Sequence, residues 1–143
     1  ERAPCREPAM LPSVLLADND AAVSGLLAEV LRRSGVEVEQ VFDGEAARRR
    51  ASERVPDVLV CDLDMPKMSG IDVLEALRDQ PRQPPTLVIS GYLDAAIEAR
   101  LAQLPFVHTV LRKPFDLMMF AGLVRELASA GGAGPAGERE ASA

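Results

Sequence analysis

Apolar residues along this chain fall into two alternating patterns. Short unbroken runs, Val14-Leu15-Leu16-Ala17, Val58-Leu59-Val60-Cys61, Leu87-Val88-Ile89 and Val110-Leu111, are each bounded by polar or turn-forming residues. Runs of this length and setting predict buried strands. Between them, apolar residues recur at helical spacing. Over 21–33, Val23, Leu26, Leu27, Val30 and Leu31 make one stripe, Asp20 stands where a cap is needed, and Gly35 follows the last turn. A strand at 36–42 and a small helix at 44–53 follow, then the strand at 58–61, a loop to Gly70 and a helix over 71–79 carrying Ile71, Leu74 and Leu77. The Pro81 to Pro85 stretch breaks the chain before a strand at 86–90. A helix over 93–103 with Ile97 and Leu101, a strand at 108–112 and a helix over 116–129 complete the series.

Five strands alternating with five helices predict an α/β sandwich, a doubly wound (βα)5 arrangement around a parallel sheet. The runs at 58–61 and 86–89 lack polar alternation, as central strands covered on both faces do. The flavodoxin-like strand order 2-1-3-4-5 sets strands 1 and 3 beside each other at the switch point. Ligands of such sheets bind beyond the carboxyl ends of the strands. Asp18, Asn19 and Asp62 then come side by side at one edge, with Ser90 and Lys113 ending the next two strands. Residues 13–130 form the domain, with a Pro-containing leader at 1–12 and a Gly/Ala-rich flexible tail at 131–143.

Composition refines this picture in a few places. The chain is 48% hydrophobic but 3% aromatic, so its core is aliphatic. No apolar stretch reaches the ~18 residues of a membrane span. A net charge of −6 argues against nucleic-acid binding by this domain. Cys5 lies in the leader and Cys61 ends a strand, a pattern that predicts a buried hydrophobe at 61 and no disulfide. A reducing, cytoplasmic setting fits. The Arg48-Arg49-Arg50 triplet reads as a solvated helix face. Lysine occurs only at 67 and 113. A lysine at a strand end suits a site that wants a compact point charge.

Four stretches carry a specific resemblance: Leu15 to Asp20, Pro56 to Gly70 with its Asp62-x-x-Met65-Pro66-x-Met68-x-Gly70 run, Val88-Ile89-Ser90-Gly91, and Lys113-Pro114-Phe115. Together they resemble the receiver domain of bacterial two-component response regulators, over about residues 13–130. The resemblance implies that Asp62 accepts a phosphoryl group from a phosphohistidine of a sensor histidine kinase or phosphotransfer protein. It implies a Mg²⁺ site of Asp18, Asn19, Asp62 and the backbone carbonyl of Asp64. Ser90, Gly91 and Lys113 would surround the phosphoryl group, and Tyr92 and Val110 would belong to the signalling surface. A cis Lys113–Pro114 bond, a homodimer and at most slow self-dephosphorylation, rather than enzymatic turnover, are also in keeping with it. Charge neutralisation explains the chemistry, because a carboxylate attacks an anionic phosphoryl group poorly unless cations offset both.

Two positions depart from the family pattern. Asn19 stands where the family usually has a second acid, keeping an oxygen ligand but losing a charge. Val110 stands where an aromatic switch residue is usual. The Ser90-Gly91-Tyr92 and Arg112 to Phe115 stretches look most like receivers attached to hybrid histidine kinases. His108, the sole histidine, lacks the acidic neighbour and downstream proline of a kinase phosphorylation box and is read as structural. Two rival readings remain at this level. One is a degenerate receiver acting only as a docking module. The other is a haloacid-dehalogenase-type phosphatase using Asp18, whose final acidic motif should follow the lysine, whereas Asp62 precedes Ser90.

Overall fold

A computed structural model describes residues 11–131. The elements run β1 (Ser13–Ala17), α1 (Ala21–Arg33), β2 (Glu37–Val41), α2 (Gly44–Glu53), β3 (Val58–Asp62), α3 (Gly70–Arg78), β4 (Thr86–Ser90), α4 (Ala95–Ala102), β5 (Val107–Arg112) and α5 (Leu117–Gly131). All strand pairs are parallel, in the order β2-β1-β3-β4-β5. Both the class and the order match the sequence expectation. The leader at 1–12 lies outside the described residues except for Leu11 and Pro12, and the tail at 131–143 except for Gly131, which ends α5.

Strand alternation sorts the apolar residues into two cores. On one face Leu15, Leu59, Cys61 and Val88 pack with Ala47 and Ala51 of α2, Leu74 and Leu77 of α3, and Leu101 of α4. On the other, Val14, Leu16, Val60, Leu87 and Ile89 pack with Leu27 and Leu31 of α1 and Phe120, Val124 and Leu127 of α5. Because both faces are covered, every residue of β3 and β4 is buried. The edge strand β2 instead keeps the polar alternation of Glu37 and Glu39 pointing to solvent.

Helix ends follow local chemistry. The Asp20 carboxylate accepts from the N–H groups of Ala22 and Val23, as its position predicts. Gly35 takes φ +95° after the Ser34 cap. Two expectations need correction. Leu26 is 51% exposed, and the buried face of α1 is completed by Ser24 and Ala28 instead. The Ser24 hydroxyl tolerates burial because Gln40 Nε2 donates to it at 2.8 Å. Helix α4 starts at Ala95 rather than 93, because Asp94 caps it by accepting from Ile97 N–H at 2.8 Å. Within the arginine triplet, Arg48 and Arg49 are exposed, while Arg50 makes a two-pronged pair with Glu39 at 2.6 and 3.2 Å.

Candidate functional site

The carboxyl ends of β1 and β3 lie side by side, with Ala17 opposite Cys61. The next residues along, Asp18 and Asp62, are 0% and 1% exposed. Burying two carboxylates together requires partners. Asp62 has them: Oδ1 accepts from Asp64 N–H at 2.9 Å, and Oδ2 receives Lys113 Nζ at 2.7 Å. Asp18 is less well served. Its Oδ1 accepts from Asp20 N–H at 2.9 Å, but its Oδ2 is buried without a hydrogen-bond partner. Burial, and then the neighbouring Asp62 charge, hold the Asp18 carboxyl above its usual range; the Asp20 amide and Lys113 only partly offset this.

Lys113 sits just past β5, where its backbone N–H donates to Ser90 O at 2.9 Å. Its bond to Pro114 is cis. Partial burial works against the ammonium, but the hydrogen bond to Asp62 and the fields of Asp62, Asp18 and Asp20 outweigh it, leaving the group above the ordinary lysine value. Asp20, the cap of α1, thus also contributes to the site's field.

Ser90 ends β4 and is 3% exposed. Its hydroxyl donates to Tyr92 O and accepts from Tyr92 N–H at 3.1 Å, so it holds both backbone groups of one residue. Gly91 and Tyr92 are exposed, Tyr92 at 69%. Asn19 and Asp64 lie at the solvent rim of the site. Val110 is opposite Val88 within β5, away from the carboxylates and 37% exposed. It lines, with Leu93, Leu101 and Val107, an apolar hollow of about 260 Å³ between α4 and β5. Asp18, Asp62 and Lys113 therefore form the centre, Ser90 flanks it, and Val110 is peripheral.

Cys61 is fully buried and its thiol is pushed far up by burial, which makes it inert. Gly70, the last residue of the Asp62-x-x-Met65-Pro66-x-Met68-x-Gly70 run, is a close-approach residue. A Cβ there would stand 2.3 Å from Asp62 O and 2.6 Å from Leu63 Cα. The start of α3 is thus pressed onto the backbone carrying the central carboxylate.

Among the described residues no three His, Cys, Asp or Glu side chains gather as a closed metal cage. The donor set instead suits a hard cation that keeps several waters: one buried carboxylate oxygen without a partner, a second carboxylate beside it, and amide and carbonyl oxygens at the rim. The fit to Mg²⁺ rests on the orphaned Asp18 oxygen.

This sheet order, with a pair of buried strand-end carboxylates beside a lysine, defines an open doubly wound α/β domain whose polar site lies at the switch point. Residues 14–125 match the family model of the response regulator receiver domain, and the chain belongs to that family. It is 37% identical over 117 residues to the transcriptional regulatory protein PrrA of Mycobacterium leprae, covering 81% of this chain and 49% of that protein. The chain thus spans about half the length of that relative. It is 36% identical over 82 residues to the alkaline phosphatase synthesis transcriptional regulatory protein PhoP of Bacillus subtilis, covering 57% and 34% of the two chains. Among solved structures, the receiver domain of the Francisella response regulator 1452 superposes with TM-score 0.75 at 27% identity, covering 82% of this chain and 97% of that one. The signal receiver domain of a histidine kinase from Syntrophus aciditrophicus shares the fold with TM-score 0.77 at 23% identity, over 87% and 95% of the chains. Family membership decides against the phosphatase reading built on Asp18. Among the described residues no helix is long and apolar enough to cross a membrane.

Proposed function

We propose that Asp62 is the phosphoacceptor of a two-component phosphorelay, charged by a phosphohistidine on a sensor histidine kinase or phosphotransfer protein. In that step a carboxylate oxygen of Asp62 bonds to phosphorus as the phosphorus–imidazole nitrogen bond breaks, and the imidazole leaves. The observation that carries the reading is the setting of Asp62: buried at the end of β3, pinned by Asp64 N–H on one oxygen and by Lys113 on the other. Such fixing favours transfer mainly through positioning and charge stabilisation. Asp18, Asn19, Asp62 and the Asp64 carbonyl would hold Mg²⁺, which when bound offsets negative charge on the acceptor and the incoming phosphoryl oxygens. Lys113, kept protonated by its acidic neighbours, is the resident cation.

Ser90 links acceptance to output. A hydroxyl has one proton to donate, and that of Ser90 is given to Tyr92 O. Recruiting it to a phosphoryl oxygen on Asp62 removes that bond and frees the Gly91–Asp94 connection. With Val110 too small and too stiff at χ1 to act as a swinging ring, the change leaves through Tyr92 and α4. Incubation with acetyl phosphate and Mg²⁺ followed by mass spectrometry tests the assignment. One added phosphoryl group, lost in Asp62→Asn, is expected; labelling at Asp18 or His108 would overturn it. A folded protein that takes no label would favour the docking-only module.

A further inference from the structure

The loop after β3 is gripped from two sides. At its far end Gly70 N–H donates to Leu63 O at 2.9 Å, and α3 begins against the Asp62–Leu63 backbone. In its middle it leans on an element with no sheet contact to Asp62, the entry of α2. Gly44 N–H donates to Pro66 O at 3.2 Å. A Cβ on Gly44 would lie 1.7 Å from Met68 O and 2.5 Å from Met68 C. Both are backbone atoms, so no change of rotamer relieves the overlap; either the loop or the helix must move. The preceding residue, Asp43, caps α2 through Ala46 N–H at 2.8 Å, and its other oxygen lies 3.7 Å from Lys67 Nζ.

Between those contacts the loop adopts a costly conformation. Met68 N–H donates back to Pro66 O at 2.7 Å, closing a three-residue turn, and the central Lys67 has φ +69°. A turn of this kind at a residue with a side chain is rare and strained, and such conformations persist where the surroundings over-determine them. The surroundings here are Asp43 and Gly44. Asp64, whose N–H holds Asp62 Oδ1, lies two residues before Pro66. A shift of Pro66 to Met68 is therefore passed directly to the group that orients the phosphoacceptor.

We infer that Gly44, with Asp43, is a positioning clamp for the Asp62 loop: the entry of α2 sets where the Asp64 to Met68 backbone rests. This inference rests on the phosphoacceptor reading of Asp62. It makes α2, which lies outside the sequence motifs of the site, part of the site's geometry. Small misplacements of positioned reacting groups cost up to about 100-fold in rate.

The test compares wild type, Gly44→Ala and Gly25→Ala, whose new methyl would meet nothing within 4 Å. Acetyl-phosphate labelling is followed at saturating Mg²⁺, at a temperature where circular dichroism shows each protein folded. Lost stability alone leaves the rate of the folded fraction unchanged. Gly44→Ala is expected to label Asp62 about 10- to 100-fold more slowly, with Gly25→Ala at the wild-type rate. Gly44→Ala labelling as fast as wild type overturns the clamp, whereas a wild type that takes no label on Asp62 overturns the phosphoacceptor reading instead. Should Gly44→Ala fail to fold, amide shifts of the wild type decide. Adding Mg²⁺ and beryllofluoride is expected to move the Gly44 amide together with those of Asp64 and Met68. A stationary Gly44 amide beside a moving Asp64 amide overturns the clamp.

Discussion

Replacing Asp18 with Asn should make the metal-free protein more stable. Asp18 is 0% exposed, and one of its oxygens has no hydrogen-bond partner. Burial, and then the neighbouring Asp62 charge, disfavour its ionised form. An asparagine there keeps the oxygen that accepts from Asp20 N–H and puts an N–H donor beside the Asp62 carboxylate. A buried charged group left unsatisfied costs about 1–3 kcal/mol or more. Asp18→Asn is therefore expected to gain about 1–2 kcal/mol at neutral pH, or roughly 3–6 °C in Tm for a domain of this size.

The same reasoning fixes a pH dependence. Asp18 binds its proton more tightly folded than unfolded, since its carboxyl is raised above 3.8. Its favourable contribution is fully present below 3.8 and is lost as pH rises through the elevated folded-state value. The advantage of Asp18→Asn should therefore be near nil in acid and grow toward neutrality. Urea denaturation in EDTA at several pH values measures it. Adding Mg²⁺ at ten times its Kd should stabilise wild type by about 1.4 kcal/mol and Asp18→Asn by much less, closing the gap. A variant that is less stable than wild type in EDTA at neutral pH, or a gap that does not depend on pH, would refute the electrostatic account.

Asn19→Asp should tighten Mg²⁺ binding in a shift titration, because an anionic oxygen replaces a neutral one at a hard-cation site; equal affinity would mean Asp18 and Asp62 suffice. Gly70→Ala should destabilise by about 1–3 kcal/mol in urea melts, since its methyl overlaps the Asp62 and Leu63 backbone. Phe120→Ala, at a fully buried ring tilted against Phe115 at 5.5 Å, should cost about 3–5 kcal/mol in the same assay. Tyr92 is the only tyrosine in a chain without tryptophan, so intrinsic fluorescence reads it alone. Its acrylamide quenching should change on adding Mg²⁺ and beryllofluoride in wild type but not in Ser90→Ala.

The fold was legible because burial on both faces removes polar alternation from β3 and β4, and unbroken runs such as Leu87-Val88-Ile89 can hardly be read otherwise. The carboxylate pair and Lys113 were legible for a related reason: strand ends in such a sheet point at one edge, so residue type and position together locate a site. Leu26 was misread because periodicity gives the direction of a helix's apolar stripe but not its width, and a hydroxyl satisfied by Gln40 can take the buried place. Asp94 is of a residue type that caps helices, and in the fold it sets the start of α4 at Ala95, two residues after the start expected from periodicity. What no pattern could yield is the approach of Gly44 to Met68 and the left-handed Lys67. Both are backbone contacts between segments that only the folded sheet brings together, and lysine carries no turn preference to announce one.

Charge then explains why the departure at Asn19 is compatible with the rest of the site. Two buried carboxylates face one ammonium, and Asp20 adds its field from the rim. The local balance is already negative, and Lys113 neutralises Asp62 directly while Asp18 carries the uncompensated burial. A further carboxylate at position 19 would raise the attraction for a cation and also the repulsion that the metal-free protein bears. Asn19 lowers both, leaving an oxygen at the rim without a further negative charge. Affinity for a divalent cation and stability without one are thus opposed through the same few ångströms of sheet edge. The residue at 19 sets the balance between them, while Asp62 and Lys113 keep the geometry on which the proposed phosphoryl acceptance depends.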